Sequence, residues 1–229
     1  MSDASKTSVA PTAIVLLSGG LDSSANLALA IEAGHRPLAL TVDYGQRAAV
    51  REAQQASRIA AYYGIVHQRV ELPWLGALGG SSLTDPSRAL PVLSRAELDE
   101  PEATKRSATA VWVPNRNGVL LQVAAAWAES LGAGSVLVGF NREEAATFPD
   151  NSQEFLERAT AALALSTRTG VKVLCYTTAL NKREIVARLR ALPRPFPFEL
   201  LWSCYEGGEH PCGRCESCGR LFRAQAEVS

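Results

Sequence analysis

The sequence predicts an α/β protein of the Rossmann-like, doubly wound type, with a mostly parallel sheet and helices on both faces. Three observations carry that prediction. Short runs rich in Val, Ile and Leu alternate along the chain with longer stretches of helical period. A glycine turn, "SGGLDS" (18–23), lies directly between the first apolar run and the first helical stretch. The length, 229 residues with 47% hydrophobic composition, suits one such domain with a small appendage.

Taken in order, "AIVLL" (13–17) reads as a buried strand, and residues 22–33 continue as a helix that Gly34 ends. "PLALTVDY" (37–44) is a second strand, and 47–63 show helical periodicity that stops at Gly64. "HQRVEL" (67–72) is a third strand. Residues 73–110 mix Pro, Gly, Ser and charges without steady period, which predicts a long, partly mobile loop of the kind that serves as an active-site lid. An apolar helix over 117–131 leads to a fourth strand, "SVLVGF" (135–140). A helix over 151–165, a fifth strand "VKVLCYT" (171–177) and a helix over 181–190 complete the domain, 13–193. The segment 194–229 holds a cysteine loop and a short basic helix, and 1–12 reads as a disordered tail.

Composition narrows the function. Formal net charge is zero, which argues against a chain built mainly to grip nucleic acid. No apolar run reaches the roughly 18–20 residues of a membrane helix, and the N-terminus lacks a signal-peptide core. The expected compartment is the reducing cytoplasm, where clustered cysteines serve metals or redox chemistry more often than disulfides.

In "SGGLDS", Gly19 and Gly20 let the backbone turn sharply and present N–H groups to an anion, and the following helix adds its positive end. Ser18 and Ser23 offer hydroxyl donors, while Asp22 suits a Mg²⁺ ion or a helix cap. No Lys follows the glycines, so this is not a Walker loop. The motif resembles the PP-loop of ATP pyrophosphatases, the adenine nucleotide α-hydrolase-like group. That resemblance implies cleavage of ATP between its α and β phosphates and adenylation of a substrate oxygen.

A second motif gathers four of the five cysteines. Cys204, Cys212, Cys215 and Cys218 are spaced C-x7-C-x2-C-x2-C, which suits a closed, four-thiolate structural Zn²⁺ site. An iron–sulfur cluster, a redox dithiol, or His210 in place of one cysteine are the competing readings of the same spacing. A metal here would fix a segment that follows Pro193, Pro195 and Pro197 and has little apolar periodicity. Cys175, in the fifth strand, reads as a small buried apolar residue.

The glycine loop, "DYGQR" (43–47), "VPNRN" (113–117), "FPDNSQEF" (148–155), "NKREIV" (181–186) and "WSCYEGGEHPCGRCESC" (202–218) occur in this order. Over about residues 13–225 the chain resembles the 7-cyano-7-deazaguanine synthases of the queuosine pathway. The resemblance implies that ATP activates the carboxylate of 7-carboxy-7-deazaguanine as an acyl adenylate. Ammonia then gives an amide, and a second activation gives the nitrile. It also implies that Leu17, Ser18, Gly19, Gly20, Leu21, Asp22, Ser23 and Ser24 hold ATP and its Mg²⁺, with Asp43, Tyr44 and Gln46 toward the nucleoside. Arg116, Asn117, Phe148, Asp150 and Trp202 become substrate candidates; Asp22, Ser23, Arg116 and Lys182 become catalytic candidates. Free ammonia is the expected nitrogen source, and a homodimer the expected assembly, since the helix at 117–131 is apolar and bears Trp127. The chain departs from the family's common pattern at Asn115, where Gly is usual. It departs again at 148–152, where a Tyr-Pro-Asp-Cys-Arg run is commoner, and in the pair Glu143 and Glu144. Two other readings remain: a tRNA-thiolating PP-loop enzyme, and a relative that joins the activated acid to another amine.

Overall fold

The computed structural model describes residues 10–226. Most of the expected tail, residues 1–9, lies outside the described residues. Thr12 is already fastened: its N–H donates to Arg36 O at 2.9 Å, and its carbonyl accepts from Gly134.

Five strands form one parallel sheet: β1 (Ala13–Leu16), β2 (Pro37–Asp43), β3 (His67–Glu71), β4 (Ser135–Leu137) and β5 (Lys172–Leu174). Their order is β3-β2-β1-β4-β5, so the winding reverses between β1 and β4. Register pins this centre, with Ala13 opposite Pro37 on one side and Ser135 on the other. Composition explains the order. The central strands are almost wholly buried, whereas the edge strand β3, "HQRVE", carries polar side chains that water can cover.

Helices α1 (Leu21–Glu32), α2 (Ala49–Tyr63), α8 (Lys182–Arg190) and α9 (Glu216–Ala226) cover one face. They meet Ala13, Val15 and Leu17 of the first strand run through Leu27, Ile59, Ile185 and Leu221. Helices α5 (Arg116–Leu131) and α7 (Gln153–Ser166) cover the other face, where Leu121, Ala124 and Leu163 pack on Ile14 and Val136. One strand thus feeds two cores by simple alternation. The boundaries have local causes. Gly64 and Gly132 end α2 and α5 in the left-handed region at φ 69° and 72°. Ser152 caps α7, and Asn181 with Glu184 forms a capping box at α8.

The segment 73–110 is not one irregular loop. It contains α3 (Pro73–Ala77), a single turn at Glu97–Asp99 and the three-turn helix α4 (Pro101–Val111). Pro101 occupies the first turn of α4, where its missing N–H costs nothing. The helix buries Ala103, Thr104, Ser107, Ala108 and Val111, so its inner face is mostly small and only weakly apolar. The last labelled helix, α6 (Arg142–Ala145), is a single turn after β4.

Near the end of α2, the Tyr63 hydroxyl is buried with no hydrogen-bond partner among the described residues. Burial and the neighbouring Tyr62 push its phenol up to about 12, against the opposing charge of Arg194. Tyr63→Phe removes an unsatisfied donor. It is expected to leave thermal stability unchanged or raise it by up to about 1 kcal/mol. A loss larger than that in urea denaturation would reveal a partner for the hydroxyl.

Candidate active site

The carboxyl ends of β1, β2 and β4 open at the winding reversal, where open α/β sheets place their ligands. Two adjoining cavities occupy this position. The inner one, about 210 Å³, is walled by Leu16, Leu40, Thr41, Val42, Tyr44 and Phe140. The outer one runs over the glycine loop to Lys182, Trp202 and Tyr205. Ser18, Ser23, Glu52, Arg116 and Gly139 border both.

Gly19 adopts φ 80° and lies so close to α2 that an added Cβ would stand 3.1 Å from Ala56 N and 3.3 Å from Glu52 O. The Ser18 and Ser23 hydroxyls are 3.1 Å apart, and Ser23 Oγ donates to Gly20 O at 3.3 Å. Gly139, just beyond β4, presses on the same turn. A Cβ there would sit 2.3 Å from Ser23 N and 2.5 Å from the Asp22 carbonyl carbon, both immovable backbone. Gly139→Ala is therefore expected to displace the start of α1, cost about 1–3 kcal/mol of stability and weaken ATP binding. Calorimetric titration with ATP would detect this, and unchanged affinity would contradict the packing argument.

Asp22 anchors a charged network. Lys182 Nζ donates to Asp22 Oδ2 at 2.6 Å and to Glu144 Oε1 at 2.8 Å. Burial disfavours the lysine's charge, but the two carboxylates outweigh it and hold its pKa above the ordinary value. Glu143 Oε1 accepts from the Lys182 backbone N–H at 2.9 Å, and its Oε2 from Arg220 at 3.2 Å. The paired glutamates that set the sequence apart thus hold the starts of α6, α8 and α9 together. Asp22 Oδ1 is buried with no hydrogen-bond partner among the described residues, as is Asn141 Nδ2. An orphaned carboxylate oxygen beside an anion-binding loop fits a divalent cation of the Mg²⁺ type.

Arg116 opens α5 and crosses the cleft. Its Nη1 donates to the Tyr44 hydroxyl at 3.3 Å, with the guanidinium 5.8 Å from the ring centroid. Asp150 lies near enough for the charges to interact; burial raises its carboxyl and Arg116 opposes the rise. Asn115, which precedes α5, has φ 50°. That left-handed conformation accounts for both the usual Gly and the Asn found here, since Asn tolerates it best among residues with a side chain.

The remaining expected site residues divide. Leu17, Gly20, Leu21, Asn117, Phe148 and Trp202 line one cavity or the other. Phe148 also stacks on Trp112, ring centroids 6.2 Å apart. Gly19 turns to α2 and the C-terminal segment, its carbonyl accepting from Trp202 N at 2.8 Å. Ser24 is wholly buried within α1. Asp43 turns aside to the Gly45 N–H and the Arg69 guanidinium. Gln46 is a brace, accepting from Tyr44 N at 2.9 Å and donating to Glu52 Oε2 at 2.8 Å. The Trp202 ring is 5% exposed, packed with Ala48 and the cysteines, its Nε1 donating to Cys204 O.

The four cysteines converge, with their sulfurs all within 4.8 Å of one another. Four thiolates at that separation fit one tetrahedral metal ion of the Zn²⁺ class. His210 is exposed and outside the group. The knuckle also secures the chain segment before α5. Val92 bridges to Cys215, Glu216 N donates to Pro91 O at 3.2 Å, and Ser107 Oγ donates to Glu216.

The sequence matches the family described as "Queuosine biosynthesis protein QueC" over residues 12–228. The chain belongs to that family. It is 51% identical to the 7-cyano-7-deazaguanine synthase of Pelotomaculum thermopropionicum, covering 92% of this chain and 95% of that protein. The enzyme of the same name from Bdellovibrio bacteriovorus is 50% identical over 94% of this chain and 93% of its own length. That of Methanosarcina mazei is 47% identical, over 93% and 92%.

Sequence reasoning missed several residues that this QueC-family fold brings to the cleft. Glu52 falls on the buried stripe of α2, three after Ala49 and four before Ala56, a spacing that marks an inward carboxyl. Gly139 interrupts an apolar strand run, which is itself a sign of close backbone approach. Glu144 was marked only as half of an unusual pair, and Arg220 carried no local signal.

Proposed function

We propose that the chain makes 7-cyano-7-deazaguanine from 7-carboxy-7-deazaguanine and ammonia, consuming ATP in two successive activations. The observation that carries this reading is the family match over residues 12–228, which spans the glycine loop, Arg116, Lys182 and the cysteines together, beside 51% identity to a 7-cyano-7-deazaguanine synthase over 92% of the chain. The cleft supports the chemistry. A carboxylate oxygen is a poor leaving group, and transfer of an adenylyl group makes it a good one.

In this reading the inner cavity takes the adenosine, and the N–H groups of the glycine loop take the phosphates. Ser18 and Ser23 exchange their mutual hydrogen bond for phosphate oxygens. Asp22, with its free oxygen, would hold a Mg²⁺ ion that neutralises charge on the phosphates. Lys182 keeps Asp22 aimed into the cleft. Arg116 meets the substrate carboxylate, and Phe148 and Asp150 flank the deazapurine. No side chain need serve as nucleophile, so positioning and charge stabilisation carry the rate. A Zn²⁺ ion on the four cysteines would be structural, holding Trp202 and its backbone against Gly19. The reading also places the enzyme as a homodimer in a reducing cytoplasm, where the thiolates stay available to metal.

The test is exchange of radiolabelled pyrophosphate into ATP. Exchange that requires 7-carboxy-7-deazaguanine supports the reading. No exchange with this acid, alongside AMP release with tRNA and a sulfur donor, would overturn it.

A further inference from the structure

Five carboxylates border the outer cavity among the described residues: Asp22, Glu52, Glu143, Glu144 and Glu216. Four are neutralised by cations. Lys182 holds Asp22 and Glu144, and Arg220 holds Glu143 and Glu216. Glu52 is different. Its one hydrogen-bond partner among the described residues is a neutral amide, Gln46 Nε2, on Oε2 at 2.8 Å. That amide is itself fixed, since Gln46 Oε1 accepts from Tyr44 N at 2.9 Å and Nε2 also reaches Val42 O. The glutamate stands where the two cavities join, beneath the glycine loop and across from Arg116.

We infer that Glu52 receives ammonium at the floor of the cleft and takes its proton, releasing ammonia toward the activated carboxyl carbon. The inference rests on the function proposed above. Near neutral pH ammonia is overwhelmingly ammonium, which has no lone pair to donate, so a closed site needs a proton acceptor beside the reacting carbon. Burial lifts the Glu52 carboxyl above its ordinary value; the Gln46 bond and Arg116 oppose the rise, and Asp43 adds to it. Tyr44, the remaining titratable group facing it, is itself raised by burial and stays neutral. The step balances: one N–H bond of ammonium breaks and the carboxylate gains the proton. The nitrogen lone pair forms the C–N bond, and AMP departs with the electron pair of the C–O bond. The remaining excess proton passes to solvent. Gln46 is the positioning residue for this carboxylate.

The experiment compares wild type with Glu52→Gln in three assays. Pyrophosphate exchange with 7-carboxy-7-deazaguanine is expected to fall far less than amide formation, since the exchange half-reaction needs no ammonium. Ammonium-dependent amide formation is expected to fall on the order of 10²- to 10⁴-fold. Hydroxylamine, unprotonated near neutral pH, should restore acyl transfer to E52Q as a hydroxamate at close to the wild-type rate. If E52Q loses exchange as well, Glu52 binds ATP or the acid and the inference fails. It fails equally if ammonium turnover is unchanged, or if hydroxylamine gives no rescue. Should E52Q not fold, Glu52→Asp is read in the same three assays against the same outcomes. Absence of exchange in wild type would instead sink the proposed function.

Discussion

Lys182→Met is expected to lower stability by about 3–5 kcal/mol and to reduce adenylation roughly 10²- to 10³-fold. Among the described residues, Lys182 Nζ is the cation that pairs with Asp22 Oδ2 and Glu144 Oε1, at 2.6 and 2.8 Å, and its side chain is 9% exposed. Removing it leaves two carboxylates facing one another out of water, and one must take a proton. The pH dependence follows. In the native network the Glu144 carboxyl is held below its ordinary 4.5: burial would raise it, but Lys182, with help from Arg220 and neighbouring hydrogen bonds, brings it down. Its contribution is therefore present above that value and is lost as pH falls through the folded-state pKa. Lys182 is held above its ordinary 10.5, so its contribution is full below that value and is lost only as pH rises through the still higher folded-state pKa. The deficit of K182M should accordingly be large near pH 8 and shrink as the carboxyls protonate near pH 4. Urea denaturation at both pH values measures it. A deficit below about 1 kcal/mol near pH 8, with exchange intact, would show that the lysine is dispensable.

Cys215→Ser is expected to abolish metal binding and to lower synthase activity at least about 10²-fold, while leaving the sheet folded. Binding free energy of a structural four-thiolate metal is apparent folding free energy, about 10–16 kcal/mol in small zinc domains. The two apolar layers that flank the sheet contain none of the four knuckle cysteines and draw on α9 only through Leu221 and Ala224, so most of their packing survives. What depends on the knuckle is its surroundings: Trp202 against Gly19, Val92 at Cys215, Pro91 at Glu216 and Ser107 at Glu216. Plasma emission spectroscopy should find one metal per wild-type chain and none in C215S. Limited proteolysis should cut C215S within 81–110 and after 193, with circular dichroism nearly unchanged. Full activity and protease resistance without metal would refute the dependence.

How much of this was legible follows from where each signal resides. The strands were readable because buried parallel strands are continuous apolar runs, and the glycine loop because no other residue allows so close an approach to α2. The cysteine spacing carried its own geometry. Helix α4 was hidden because Ala103, Thr104, Ser107 and Ala108 leave Val111 as the one sizeable apolar residue on its inner face, too little for a strong apolar period. Long-range pairing was hidden for a different reason. Glu144 with Lys182, and Glu143 with Arg220, join residues 38 and 77 positions apart. A charged pair of that separation looks, in one dimension, like solvated surface. Asp43 and Gln46 were rightly placed at a strand end, yet their side chains turn to Arg69 and Glu52, a choice made by tertiary neighbours.

Incubation of the purified protein with 7-carboxy-7-deazaguanine, Mg-ATP and ¹⁵N-ammonium, with the products followed by mass spectrometry, tests nitrile synthesis itself. The prediction is a ¹⁵N nitrile, formed through a transient amide, with AMP and pyrophosphate released in both activations. Adenylation of the acid without any nitrile, or no AMP at all, would contradict it.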